Sequence, residues 1–438
     1  MQIDHNLTNM STDVYKHKYS ISIYLVLFLL ISCLCDEEVC LSDSQCAQDL
    51  STTKNRFLLY DVNPPEGFNL RRDVYMRFAI LAHKLKLSKN EKLKHFRLVL
   101  PPWSHLYHWT YNPNPEQMPW GLFFDLESLK SFAPVIEMHE FFNAIDRKYS
   151  VVIDEVYILQ HFKDMFETGN FEDRMKIEEC RAKSHLIYFF YNNITSKNVK
   201  CLSYHGPATK LSELLDKSPA KIILLHHAEV ALHHMFGDKL YWQCRRSMRF
   251  NKELRSIAAD FRQQFLNSSD DLDGTILPNR WQDEKPHRNA VGGPYLGVHL
   301  RRKDFLTGRA NQVPSVENIV QQISEKLKKL SLSTVFVATD ASDEEYGDII
   351  RKIPPEYKTI RYTPSEKVKT KYKDGGIAII EQIICSHARH FIGTQESTFS
   401  FRIQEEREIF GFPIKSTFNS FCREHNGCPQ PSVWKIVY

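Results

Sequence analysis

Between residues 295 and 410 the chain alternates short runs of strand formers with longer segments of helical apolar spacing, and this order constrains the fold more than any other feature. Residues 295–300 read as a strand, 316–330 as a helix, 334–338 as a strand and 343–353 as a helix. Residues 359–362, 375–387, 390–393 and 397–410 then continue as strand, helix, strand, helix. Strands joined through helices run parallel, because a tight turn joins only antiparallel neighbours. The alternation therefore predicts a doubly wound α/β half with helices on both faces of its sheet.

The N-terminal half opens in the same way. Residues 57–62 (FLLYDV) read as a strand that stops at Pro64-Pro65, passes Gly67 and enters a helix with Leu70, Val74, Phe78, Ile80, Leu81 and Leu85 at helical spacing. One carboxylate, Glu66, sits in the bend. Strand-to-helix loops of open α/β sheets converge on a single crevice with the helix N-terminus, so Glu66 is the leading candidate for a functional acid or base. Further strands are expected at 96–100, 151–153, 187–191 and 221–225, with long loops over 103–120 around Pro113, Pro115 and Pro119. The polar run 267–289 reads as an exposed connection between halves. A chain of 438 residues exceeds one ordinary core. The expected division is an N-terminal domain over 51–266 and a C-terminal one over 290–438, after a leader over 1–36.

Within that leader, residues 21–34 (ISIYLVLFLLISCL) are apolar, follow Lys16 and Lys18, and end at Cys35-Asp36-Glu37-Glu38. The run is shorter than the ~20 residues of a membrane span, which favours a cleaved secretory signal over an uncleaved anchor. The mature chain is then expected without a membrane span. The cysteines suit an oxidising compartment: Cys180 with Cys201 and Cys422 with Cys428 are plausible disulfides, and Cys40 with Cys46 is a third. Cys244 and Cys385 read as unpaired. Asn193 and Asn267 begin glycosylation acceptors of the Asn-x-Ser/Thr kind. The formal charge of +4 is scattered, with no basic block to track a nucleic acid backbone, so a nucleic acid partner is not expected.

Two segments of the C-terminal half have the chemistry of anion sites. His299-Leu300-Arg301-Arg302-Lys303-Asp304 puts three cations at a strand end, where guanidinium forks suit phosphate oxygens. Arg301 is expected to turn inward, whereas Arg302 or Lys303 alone is equally well explained as a solvated partner of Asp304. Gly393-Thr394-Gln395-Glu396-Ser397-Thr398 ends a strand in glycine and opens a helix with two hydroxyls, which reads as an anion cradle or an ordinary helix cap. Two such elements in one domain favour a diphosphate. Asp340 and Glu381 are candidates for contacts with a base or ribose, and equally for a helix cap or a surface charge. There is no GxGxxG, no GxxxxGK[ST], no cysteine or histidine cluster with zinc spacing, and no DxD outside the polar run Asp270-Asp271-Leu272-Asp273. A diphosphate held without those devices points to a nucleotide sugar, with Arg301 in place of a metal against the leaving diphosphate.

At these positions the chain resembles the protein O-fucosyltransferases, and among them the members that modify thrombospondin type 1 repeats. The motifs stand here as YDVNPPEGFNLRRDVY, YLGVHLRRKDF, VFVATDA, YKDGGIAII and STFSFRIQEEREI, and the resemblance runs from about Asn55 to the C-terminus. It implies a GT-B fold, with two Rossmann-like domains facing across a cleft, and an inverting transfer from GDP-fucose that needs no metal or other cofactor. It implies Glu66 as catalytic base, with Pro65, Gly67, Phe68 and Asn69 lining the donor site. His299, Leu300 and Arg301 match the family's diphosphate-binding strand end, and Thr398 and Phe399, beside Ser397, match its second donor-binding segment. Glu381 stands where similar members carry an aspartate, a carboxylate one methylene shorter. The acceptor is expected to be a folded, disulfide-bonded repeat, with Trp103, Trp109 and Trp120 as groove or core aromatics. The enzyme is expected as a monomer in the endoplasmic reticulum lumen, with the Golgi as the alternative.

Overall fold

The computed structural model describes residues 54–64, 66–104, 106, 109, 117–145, 151–181, 194–310, 312–417, 420–423, 428–431 and 435–438. The leader over 1–36, Cys40, Cys46, the strand expected at 187–191, Asn193 and Pro65 lie outside them.

Among the described residues two sheets are formed. The first has seven strands: β1 (Arg56–Tyr60), β2 (Phe96–Leu100), β3 (Val135–Glu137), β4 (Val151–Gln160), β5 (Arg174–Glu178), β6 (Ile194–His205) and β7 (Ile222–His226), in the order β3-β2-β1-β7-β4-β6-β5. All neighbours in it are parallel except β5, which pairs antiparallel with β6 at the edge. The second sheet is wholly parallel: β8 (Gly293–Leu300), β9 (Thr334–Thr339), β10 (Lys358–Ile360) and β11 (Ala388–Ile392), in the order β10-β9-β8-β11. Each sheet has a point where successive strands depart in opposite directions, between β1 and β7 in the first and between β8 and β11 in the second. Loops at the carboxyl ends of such strands open a crevice, because the helices that follow them lie on opposite faces of the sheet.

Glu66 and its helix α1 (Phe68–Lys86) follow β1 at the first of these points. Helix α1 is buried around most of its circumference, including Arg72 and Asp73, because it also meets the helices of the second sheet. It packs on α2 (Lys239–Ser247) of the first half and on α8 (Thr398–Ile409) of the second, and Arg72 bonds Gln382 of α7 (Glu366–Ser386); α3 (Lys252–Leu266) packs on α7, α4 (Lys303–Gly308) follows β8, and α5 (Val316–Leu330) packs on α6 (Asp343–Lys352). The two sheets share one apolar core that runs from Leu58 and Tyr60 through Phe78 and Trp242 to Phe336, Ile380 and Ile403. Thr52–Tyr438 is accordingly one compact unit.

A buried ionic network joins the halves. Arg245 on α2 donates from Nε to Glu405 Oε2 on α8 at 2.6 Å and pairs with Glu406 at 2.8 Å. Tyr241 donates to Glu405 Oε1 at 2.6 Å, and Arg402 reaches Asp73 of α1 at 3.4 Å. Burial raises the Asp73 carboxyl, but the His233 hydrogen bond and the Arg402 and Arg77 charges outweigh it and hold Asp73 below the usual carboxylate range. Arg245→Met would leave Glu405, which is 0% exposed, with Arg402 and Tyr241 alone. A loss of about 3 kcal/mol is expected, the lower end for breaking a buried pair, measurable by chemical denaturation.

Several elements depart from the sequence reading for local reasons. Strand β4 continues well past residue 153, because Asp154 is engaged rather than solvated: its Oδ2 accepts the N–H groups of Lys221 and Ile222 at 3.0 and 2.9 Å. Helix α7 begins at Glu366 and breaks at Lys373, where φ is 51°, so its second segment is the helix expected from 375. The run 267–289 is not simply exposed: Ser268, Asp273, Trp281 and Glu284 are buried, and Arg262 pairs with Asp273 at 3.3 Å. Asn267 itself is exposed, at the left-handed end of α3. Cys180–Cys201 and Cys422–Cys428 are disulfides, while Cys244 and Cys385 are free and buried. Cys180–Cys201 ties the end of the β5–β6 ladder, where Glu178 is paired with Cys201.

Candidate active site

A cavity of about 680 Å³ collects the loops at both switch points. Glu66, Gly67, Phe68 and Asn69 line it from the first sheet, and His299, Arg301, Glu381, Ser397, Thr398 and Phe399 from the second. Among the described residues expected in the donor site, Leu300 is the exception. Strand alternation turns it away from His299, and at 2% exposure it packs with Ile319, Val335 and Ile392 in the core under the sheet. Among the aromatics, Trp103 and Trp120 are core residues packed at 4.6 Å on each other, and Trp109 lines the cavity.

The strand end after β8 is built by hydrogen bonds from the loop after β11. Thr394 Oγ1 donates to His299 O at 3.0 Å and accepts from Arg301 N at 2.9 Å. Ser400 Oγ accepts from Thr394 N at 3.0 Å and shares a hydrogen bond with His299 Nδ1 at 2.9 Å. A side chain on Gly393 would place its Cβ 2.5 Å from Ser400 Oγ, so only glycine lets the strand approach the helix this closely. The His299 ring stacks on Phe399 at 4.2 Å between centroids. Burial, then the Arg301 charge, pushes the His299 imidazole down to about 3, so it is neutral at ordinary pH.

Arg301 is fixed by two carboxylates, Asp340 Oδ2 at 2.6 Å and Asp304 Oδ1 at 2.8 Å. Asp340 also accepts from Arg302 N at 2.6 Å, so its structural duty is to orient this strand end. Arg302 is the buried member of the trio, held by Glu345 at 2.6 Å and Pro314 O at 2.8 Å, while Arg301 and Lys303 line the cavity. Alternation along the strand decides which cation faces which way. At the N-terminus of α8, Ser397 makes no side-chain capping bond, which leaves the opening N–H groups of the helix to an anion. Lys303, weighed in the sequence reading as a solvated partner of Asp304, lines the cavity, and so do Arg361 and Tyr362, which that reading passed over as site residues. Arg361 and Tyr362 directly follow β10, and the end of a parallel strand was the signal that could have marked them.

Two carboxyl groups in the cavity are shifted upward. Burial, reinforced by the Glu229 charge and opposed by Arg71 and Arg77, raises Glu66 above the usual glutamate value. Burial, reinforced by Asp340 and opposed by Arg361, pushes half-buried Glu381 up to about 8. The folded chain thus prefers protonated Glu381, while the unfolded chain ionises it near 4.5. Glu381 therefore contributes stability that is lost as pH rises from about 4.5 to about 8, so the wild type is expected to lose stability relative to Glu381→Gln over that range and to level off beyond. Thermal melts of the two proteins at pH 5 and pH 8.5 check the sign. Asn69 reaches Glu381's helix through Gln382, whose Nε2 donates to Asn69 Oδ1 at 2.9 Å, and Arg72 bridges both. Among the described residues no group of three or more His, Cys, Asp or Glu side chains is placed to hold a metal ion, and no helix is long and apolar enough to cross a membrane.

The comparisons agree with this geometry. The family model described as GDP-fucose protein O-fucosyltransferase matches residues 57–410. The chain is 44% identical over 405 residues to GDP-fucose protein O-fucosyltransferase 2 of Homo sapiens, covering 89% of this chain and 91% of that protein. It is 42% identical over 402 residues to the protein of that name from Caenorhabditis elegans, covering 88% and 91%. Over 84% of this chain and 98% of the other, it superposes on the crystal structure of POFUT1 in complex with GDP-fucose with a TM-score of 0.55 at 17% identity. That likeness shows the fold, a GT-B arrangement of two sheets. The chain therefore belongs to the GDP-fucose protein O-fucosyltransferase family and is a fucosyltransferase.

Proposed function

We propose that the chain transfers fucose from GDP-fucose to Ser or Thr hydroxyls of folded thrombospondin type 1 repeats, by a single inverting displacement with Glu66 as general base. The observation that carries this reading is the convergence of Glu66 with Arg301 and the α8 N-terminus on one cavity, although they come from different sheets. Glu66 takes the proton from the acceptor hydroxyl as its oxygen bonds to the anomeric carbon. The bond from that carbon to the diphosphate breaks on the opposite face, and the electron pair leaves on the diphosphate oxygen. Arg301 and the opening N–H groups of α8 stabilise the charge that grows there. No step calls for a metal.

In this reading the division of labour follows the two sheets, residues 51–266 presenting the acceptor and the base and residues 290–438 holding the donor, with 267–289 between them. Gly67, Phe68, Asn69, His299, Thr398 and Phe399 shape the donor site, and Glu381 stands toward the nucleoside. The disulfides suit an oxidising lumen, and we place the enzyme in that of the endoplasmic reticulum, as a monomer with glycans on Asn193 and Asn267. The test is fucose transfer from GDP-fucose to a folded repeat and to its reduced form, with chelator present. Transfer to the folded repeat alone is expected. Equal transfer to the reduced repeat would remove the folded-acceptor requirement, and complete inhibition by chelator would remove the metal-free mechanism.

A further inference from the structure

The bend that carries Glu66 lies outside strand and helix, yet side chains clamp it from two sides. Arg71, on the first turn of α1, folds back over the helix N-terminus. Its Nε donates to Glu66 O at 3.0 Å, its Nη2 to Pro64 O at 3.0 Å, and its Nη1 to Ser104 O beyond β2 at 3.2 Å. One guanidinium therefore holds the backbone at Glu66 and two residues before it, and ties both to the neighbouring strand's loop. On the other side Glu229 Oε2 accepts from Asn63 N at 3.1 Å. Glu229 is fixed in turn by His227, whose Nδ1 lies 3.0 Å from Oε1, and by Arg77, which donates to Glu229 O at 3.0 Å. Arg71 does not line the large cavity. It borders a small second one behind the bend, with Tyr60, Asp61, Trp103 and Trp120.

We propose that Arg71 is a positioning residue, which aims the Glu66 carboxylate at the acceptor hydroxyl by clamping the backbone of the bend, with Glu229 as its counterpart on the opposite side. This rests on the reading of Glu66 as the base. Three carbonyls at different angles need the planar fork of arginine, which a lysine ammonium cannot reproduce. Charge separates the two clamps. The charged groups that act on Glu66 are Glu229, which raises its carboxyl, and Arg71 and Arg77, which lower it. Arg71 itself is surrounded by Asp61, Glu66, Glu229 and Tyr60. Removing the Arg71 charge thus acts on the Glu66 proton in one direction, and removing the Glu229 charge in the other.

The experiment compares Arg71→Met, Arg71→Lys, Glu229→Gln and Glu66→Gln in the full chain. It reads kcat and KM for fucose transfer across pH, GDP affinity by calorimetry, and thermal melting. Arg71→Met is expected to lower kcat about 10- to 100-fold, as a misplaced reacting group does, with GDP affinity within about twofold of wild type. The acid limb of its pH profile moves to higher pH. Arg71→Lys keeps the limb near the wild-type position and still loses kcat, and Glu229→Gln moves the limb to lower pH. A wild-type kcat and limb in Arg71→Met, or a loss confined to KM for GDP-fucose, overturns the proposal. If melting shows Arg71→Met unfolded, Arg71→Lys and Glu229→Gln decide: undiminished kcat in the first with no downward shift in the second overturns it. An active Glu66→Gln overturns the base reading itself, an outcome distinct from inactive Glu66→Gln beside a wild-type-like Arg71→Met.

Discussion

Glu66→Gln is expected to abolish fucose transfer while leaving GDP binding close to wild type. The amide fills the volume of the carboxylate but cannot accept the hydroxyl proton, and general base assistance contributes about 100- to 10,000-fold in rate. Glu66 lines the cavity from the first sheet and the elements assigned to the diphosphate line it from the second, so the loss belongs in kcat. Because burial and Glu229 raise the carboxyl, the wild-type rate should fall as pH drops through that raised value, the base being inactive once protonated. Single-turnover transfer, with calorimetric GDP binding on the same sample, separates the two effects. A variant that turns over like wild type would remove Glu66 from the chemistry.

Arg301→Ala is expected to damage both donor binding and turnover. Loss of one preorganised donor to developing charge costs on the order of 3 to 4 kcal/mol in the barrier, roughly a hundred- to a thousandfold in kcat. Arg301 also neutralises Asp340 and Asp304, at 2.6 and 2.8 Å. Its removal leaves two carboxylates facing an incoming diphosphate, so GDP affinity should fall as well, and more steeply at low ionic strength, where repulsion is less screened. Arg301→Lys is expected to recover part of the binding and little of the rate, since the fork is lost but the charge stays. Unchanged GDP affinity in Arg301→Ala would exclude Arg301 from the diphosphate site.

Much of this site was legible because its parts are local. The Pro64-Pro65-Glu66-Gly67 bend, the cations at 301–303 and the Gly393-to-Thr398 loop each sit where a strand hands over to a helix, and apolar periodicity marks that handover. The wholly parallel second sheet was readable from the alternation of strand-forming and helical segments, since strands joined through helices run parallel. The first sheet was harder. Asp154 and Glu155 interrupt the apolar run of β4, because one carboxylate serves backbone N–H groups of Lys221 and Ile222 and the other accepts from Ser218 and Tyr157. Charges that satisfy a neighbouring strand look like solvent-facing charges in a linear reading. The Leu300 side chain turns into the core for a related reason: a motif names consecutive residues, whereas a strand points alternate side chains to one face.

The sequence by itself determined the element order of the C-terminal half, the parallel pairing of the second sheet, the residues of each candidate anion loop and the carboxylate in the bend, since each depends on near neighbours in the chain. Tertiary structure alone decided that β1 and β7 part at one switch point and β8 and β11 at another, which brings Glu66 and Arg301 to one cavity. It also decided that Asp340 orients Arg301, that Arg71 and Glu229 clamp the bend, and that Arg245, Glu405, Arg402 and Asp73 lock the halves together. Apart from Arg71, whose partners in the bend are near in the chain, these partners lie far apart. They meet only once burial of the shared core fixes the two sheets against each other, and no local spacing encodes that packing.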